Sequence, residues 1–187
     1  MRITVGITGA SGSVYALRLL ENLRRLGVET DLVVSDAGRE VTRQECGAGQ
    51  DEFAAMCTAF HENRNIGASI ASGSHPSDGM VIVPCSMRTL AAVAAGFADN
   101  LLTRAADVCI KERRLLILVV REAPLSAIHL ENMLKLARLG VVILPACPAF
   151  YHHPRGIEDL TDFVVGKILD QLGIEHEIYQ RWTGERE

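Results

Sequence analysis

The feature that most narrows the folds open to this chain is an alternation. Short, nearly continuous aliphatic runs recur, and each is followed by apolar residues at helical spacing. Ile3 to Thr8 is the first run; Val14, Leu17, Leu20 and Leu23 then mark a helix that Gly27 closes. Thr30 to Ser35, Met80 to Pro84, Leu115 to Val120 and Val141 to Leu144 read as four further strands. Helices are expected over 36–46, Ser86 to Ala95, Leu101 to Arg113, Ser126 to Leu139 and Glu158 to Leu172. Between Gly47 and Gly73 the pattern is weak, with only a short helix expected around Phe53 to Phe60. Strands that are apolar throughout must be covered on both faces, and strands separated by helices pair in parallel. The expected fold is therefore α/β: a doubly wound parallel sheet, a three-layer sandwich of Rossmann or flavodoxin type. Residues 1–187 are expected to form one such domain, with a closing helix and tail.

Composition removes several functions. The net charge of −4 argues against a nucleic-acid or anionic-membrane surface, and the basic run Lys111-Glu112-Arg113-Arg114 reads as a solvated helix end or a local site. No apolar stretch is long enough to span a bilayer, and the first residues run straight into a strand pattern without a signal peptide. The five cysteines (46, 57, 85, 109 and 147) show no zinc spacing; reduced thiols in a cytoplasmic protein are expected.

Ligands in doubly wound folds sit outside the carboxyl ends of the strands, and the informative motifs all fall there. Gly9-Ala10-Ser11-Gly12 follows the first strand and opens a helix, so free N–H groups, a positive dipole end and the Ser11 hydroxyl face one point. That suits a phosphate, although a plain strand-to-helix turn needs the same glycines. Ser35 either caps the next helix or reaches a ligand. Pro84-Cys85-Ser86-Met87-Arg88-Thr89 follows the third aliphatic run; Ser86 and Thr89 stand in capping relation, and the same hydroxyls suit a second anion site. Cys85 reads as a small buried thiol rather than a nucleophile.

Arg121-Glu122 directly follows the buried run Leu115 to Val120, where packing gives no reason for charge; Arg121 can fork onto a phosphate and Lys111 can add a point charge. His152 and His153 are adjacent and lack a suitably spaced carboxylate, so no metal is expected. Lys167 lies on the apolar stripe of Leu160, Phe163, Val164 and Ile168, where a lysine either snorkels outward or meets a buried anion.

Taken in order, these motifs resemble the UbiX family of flavin prenyltransferases along nearly the whole chain. Ser72-Gly73-Ser74, Arg104 to Asp107, Arg121 to Leu125, His129 to Leu134, Phe150-Tyr151 and Arg181-Trp182 add to the likeness. The resemblance implies a metal-independent enzyme that joins a dimethylallyl group from dimethylallyl phosphate to reduced FMN, at N5 and C6. Its product, prenylated FMN, would serve a separate UbiD-type decarboxylase. It further implies that Gly9, Ala10, Ser11, Ser35, Ser86, Met87, Arg88, Thr89 and Arg121 hold FMN. Lys111, Glu122, Tyr151 and Lys167 would surround the prenyl phosphate, Glu45 would assist proton handling, and Trp182 would belong to a closing C-terminal segment. A large homo-oligomer, a dodecamer among the candidates, with sites between subunits, is implied as well.

This chain departs from the family pattern in carrying Lys167 where arginine is usual and Asp36-Ala37-Gly38 where Lys-Ala-Ala is usual. Two other readings compete. A flavin-dependent cysteine decarboxylase of the HFCD group would carry an asparagine that Pro84 to Thr89 lacks. A non-catalytic flavin-binding subunit would not need Lys111, Glu122 and Tyr151.

Overall fold

The computed structural model describes residues 1–184. Six strands form one parallel sheet in the order β3-β2-β1-β4-β5-β6. They are β1 (Arg2–Ile7), β2 (Glu29–Val34), β3 (Ala59–Glu62), β4 (Gly79–Cys85), β5 (Leu115–Val120) and β6 (Val142–Ile143). The helices are α1 (Ser13–Arg25), α2 (Asp36–Cys46), α3 (Gln50–Met56), α4 (Met87–Ala95), α5 (Leu101–Lys111), α6 (Ala127–Arg138) and α7 (Ile157–Gln171). This is the doubly wound sheet expected, with the Rossmann strand order, and the chain reverses direction across the sheet between β1 and β4.

The alternation sorts side chains onto two faces. Ile3, Val5 and Ile7 pack with Leu19, Leu20 and Leu23 of α1, Phe53 of α3, and Val164 and Ile168 of α7. Met80, Ile82, Leu116 and Leu118 pack on the other face with Leu90 of α4, Leu102 of α5 and Leu136 of α6. Arg18 of α1 grips Asp162 of α7 through two bonds, at 2.6 and 2.9 Å, and so fixes those helices to each other.

One stretch departs from expectation. Residues 57–60 are not helical: the helix lies earlier, at Gln50–Met56, and Ala59–Glu62 is an edge strand paired to β2. Its sequence, Ala-Phe-His-Glu, has no aliphatic run. An edge strand needs cover on fewer sides, and partner β2 supplies the register. No helix among the described residues is long and apolar enough to cross a membrane.

Candidate active site

The reversal between β1 and β4 opens a crevice at their carboxyl ends. Thr8 closes its floor. This buried side chain donates to Pro84 O at 2.6 Å and accepts from Ser86 N at 2.8 Å, so one hydroxyl ties the end of β1 to the end of β4. Above it lies a cavity of about 440 Å³ lined by Thr8, Gly9, Ser35, Ser86, Arg88, Thr89, Asn100 and Thr103, with Asn63, Phe97 and the Asp36–Arg64 ion pair on its wall.

Three helices begin at this cavity, and each start is capped by a residue that lines it. Ser35 Oγ accepts from Gly38 N at 3.0 Å, Ser86 Oγ from Thr89 N at 3.3 Å, and Asn100 Oδ1 from Thr103 N at 3.1 Å. The capping residues are therefore also lining residues of the cavity. A serine at an N-cap accepts with its oxygen and keeps its proton to donate, and the helix starts present positive dipole ends. Arg88 is exposed at the wall and makes no ion pair among the described residues. Hydroxyls, an amide, three helix starts and an open guanidinium make a donor set suited to a phosphorylated polyol.

The first turn behaves differently from expectation. The Gly12 and Ser13 N–H groups are not open anion donors. Glu45, at the end of α2, takes them: its Oε2 accepts from Gly12 N at 2.9 Å and Ser13 N at 2.8 Å. Burial acts to raise the Glu45 carboxyl, but bonds from Ser11, Gly12 and Ser13 outweigh it and hold it below the usual carboxylate range. A carboxylate already in the chain meets the α1 dipole before any ligand does. Glu45 is thus held ionised near neutrality. Gly12 adopts φ +110, and a Cβ on Gly9 would lie 2.5 Å from the Ala37 Cβ, so both glycines are required by backbone shape and by the close approach of α2.

Ala10 and Met87 are buried beside these turns. Cys85 is fully buried, and burial pushes its thiol up to about 12, so it is no nucleophile near neutral pH. Asp36, the family departure, pairs with Arg64 at 2.9 Å. Arg121 stands exposed after β5, near enough to Tyr15 for its charge to counter, in part, the burial that pushes the Tyr15 hydroxyl up. Glu122 is exposed beside it, accepting from Ala123 N at 3.0 Å.

Other expected site residues lie elsewhere in the chain. Lys111 ends α5 just before β5, and Leu115 pairs with Gly79 at the amino ends of the strands, the side of the sheet away from the cavity. There Lys111 pairs with Glu112, and a Cβ on Gly73 would collide with both. Arg114 fixes the same segment by donating to Gly73 O and His75 O. Tyr151 and Trp182 do meet, ring centroids 5.5 Å apart, on the flank of α7 against Phe163. His152 stacks on Phe163, with both ring nitrogens buried and without a hydrogen-bond partner among the described residues. Lys167 lies at an apolar groove of about 410 Å³ with Val142, Leu144, Cys147 and Phe163, its ammonium 3.4 Å from Asp170.

Thr8, Asn63 and Asn100 did not stand out in the sequence. Asn63 anchors the start of α5 through Leu101 N at 2.8 Å and Leu102 N at 3.0 Å. The available signal was weak: a threonine ending an aliphatic run, and an asparagine one residue before a helix.

The sequence matches the Flavoprotein family profile over residues 1–169. It is 50% identical over 182 residues to the flavin prenyltransferase UbiX of Methanothermobacter thermautotrophicus, covering 97% of this chain and 95% of that one. Among solved structures it resembles AnUbiX (PadA1), determined in complex with FMN and dimethylallyl pyrophosphate. That match has TM-score 0.97 and 45% identity, and covers 99% of this chain and 98% of the other. It also resembles a dodecameric FMN-dependent UbiX-like decarboxylase of Escherichia coli O157:H7, with TM-score 0.96, 47% identity and coverage of 98% and 100%.

Proposed function

The chain belongs to the flavin prenyltransferases of the flavoprotein family, and from that membership we propose that it joins a dimethylallyl group from dimethylallyl phosphate to reduced FMN. The observation that carries this reading is the convergence of three capped helix starts, with Arg88, on one hydroxyl-lined cavity. A phosphomonoester with a ribityl chain fits that donor set. Ser35, Ser86, Arg88 and Thr89 would hold the phosphate end. Gly9, Ala10, Ser11 and Met87 would shape the wall, and Arg121 would meet the flavin from the end of β5. Reduced FMN, when bound, supplies the nucleophilic N5 and C6.

The chain's own residues would then act on the allylic phosphate. Its C–O bond breaks with the electron pair leaving on phosphate, so cations at that oxygen lower the barrier. Lys111, Lys167 and Arg121 are the cations, and Tyr151 and Glu122 the remaining polar neighbours. Tyr151 and Trp182, paired edge to face, would exclude water and face the allylic cation with electron-rich rings. Glu45, ionised and bound to the first turn, would hold the wall and accept a proton.

Lys111 and the cavity stand at opposite ends of the sheet within one chain, so a complete site requires a second copy. We therefore read the protein as a homo-oligomer, with the dodecamer of the E. coli relative as the expected size. The exposed apolar residues Leu130 and Leu134, one turn apart on α6, where only Leu136 is buried, supply a surface for a neighbour. The product would pass to a UbiD-type decarboxylase. A cysteine decarboxylase is disfavoured because Pro84 to Thr89 lacks the asparagine of that group.

Steady-state kinetics with varied dimethylallyl phosphate test the assignment of the phosphate subsite. Lys167→Ala is expected to lower kcat/KM about ten- to a hundredfold, the worth of a charge-assisted contact, while FMN affinity stays unchanged. Lys167→Arg should be tolerated, since it restores the fork. Unchanged kinetics in the alanine variant would remove Lys167 from the site.

A further inference from the structure

One carboxylate fastens the tail after α7 to that helix. Asp170 Oδ1 accepts from Arg181 Nη2 at 2.6 Å and lies 3.1 Å from His176 Nε2. Its Oδ2 accepts from the Tyr179 hydroxyl at 2.8 Å, from Arg181 Nη1 at 3.2 Å and from Lys167 Nζ at 3.4 Å. A carboxylate has about four lone-pair sites, so these donors fill it. Gly166, one turn earlier, makes the arrangement sterically possible, because a Cβ there would run into the Tyr179 ring.

The donors differ in how firmly they are held. Tyr179 and Arg181 belong to the tail, and the next residue, Trp182, rests on Tyr151. Lys167 belongs to α7, makes the longest contact, and is 44% exposed. One negative charge is shared by two cations, so the cluster carries a surplus positive charge, and Lys167 is the cation free to leave. Burial acts to raise the Asp170 carboxyl, but the bonds from Arg181 and Tyr179 outweigh it and keep it ionised well below the usual carboxylate range.

We propose that Asp170 is a positioning residue with two charges in its keeping: it seats the tail so that Trp182 lies on Tyr151, and it parks Lys167 until an anionic substrate draws the ammonium away. Departure of Lys167 leaves the carboxylate to Arg181 and Tyr179, which tightens the seat. Binding of an allylic phosphate and closure of the tail are then one linked equilibrium. The second half rests on the reading of Lys167 as a prenyl-phosphate ligand; the first does not.

Trp182 is the only tryptophan in the sequence, so its emission reports the tail directly. In the intact FMN-loaded protein, Asp170→Asn should shift that emission to the red and raise acrylamide quenching about twofold or more. Asp170→Glu should restore both in part. Tyr179→Phe and Arg181→Gln, which remove donors without touching α7, should move them in the same direction should the asparagine variant fail to fold. Kinetically, Asp170→Asn should lower kcat about tenfold while KM for dimethylallyl phosphate stays level or falls, because Lys167 is no longer parked. Emission and quenching unchanged in Asp170→Asn, or in both tail variants, would overturn the proposal. Dimethylallyl monophosphate added to the oxidised, non-reacting protein should shift the parent's emission to the blue but not that of Lys167→Ala. An equal shift in both would overturn the coupling and the Lys167 assignment, and would leave the Asp170 seat to be judged by its own variants.

Discussion

Glu45 and Cys85 illustrate how far single residues are decided by surroundings. Cys85 ends β4 within the Pro84 to Thr89 motif, yet its thiol is fully buried and held in its neutral form. Cys85→Ala should therefore leave prenyl transfer within a few-fold of the parent; a loss of about a thousandfold, roughly 4 kcal/mol of barrier, with the fold intact would expose a missed nucleophile. Glu45 makes a statement about pH. Its folded value is depressed by the bonds from Ser11, Gly12 and Ser13, so its contribution to stability is complete above the unfolded value of about 4.3 and is lost as pH falls through the folded one. Urea midpoints of the parent and of Glu45→Gln should differ at pH 7 and draw together as pH falls from about 4.3 through the lower folded value; a gap that stays constant would deny the carboxylate clamp. The sequence offered Ser35 and Ser86 as either caps or ligands. The structure makes both of them caps that also line the cavity, a placement that needs the direction of a helix start and not merely its residue type. The partner taken by the first turn was not legible, because Glu45 reaches Gly12 across 33 positions.

The aliphatic runs located five strands because a strand buried on both faces has no other composition available. β3 escaped for the converse reason: His61 and Glu62 are tolerated at an edge, and neighbouring β2 fixes the register that its own sequence does not. The site depends on a similar nonlocal fact. Thr8 and Pro84 are 76 residues apart, and only the placing of β1 beside β4 turns a strand-terminal threonine into the tie between them. Thr8→Val keeps the shape but strands the part-buried Ser86 N–H and the buried Pro84 carbonyl. Leaving such a donor unpaired costs about 1–3 kcal/mol, so chemical denaturation should show a loss of that size together with weaker FMN binding. Full stability and full affinity in Thr8→Val would mean that β4 holds the cavity floor without it.

At the scale of the molecule, the motifs that resemble one family do not meet in one chain. Gly9 to Gly12, Ser35, Pro84 to Thr89 and Arg121-Glu122 stand at the carboxyl ends of the strands; Ser72 to Ser74 and Lys111 to Arg114 gather at the amino ends; Tyr151 and Trp182 lie on the flank of α7. A sequence lists such groups without their spacing in three dimensions, so it revealed their identity but not their separation. In the proposed reading, assembly with further copies would let the separate groups act together, and exposed Leu130 and Leu134 of α6 would lie available to a neighbour. All of this converges on one chemical outcome, which mass spectrometry of the released flavin measures most directly. After anaerobic incubation of the intact protein with reduced FMN and dimethylallyl monophosphate, the flavin is expected to be heavier by one isoprene unit, with one inorganic phosphate released per flavin modified. Recovery of unmodified FMN from protein that binds both compounds would contradict the assignment.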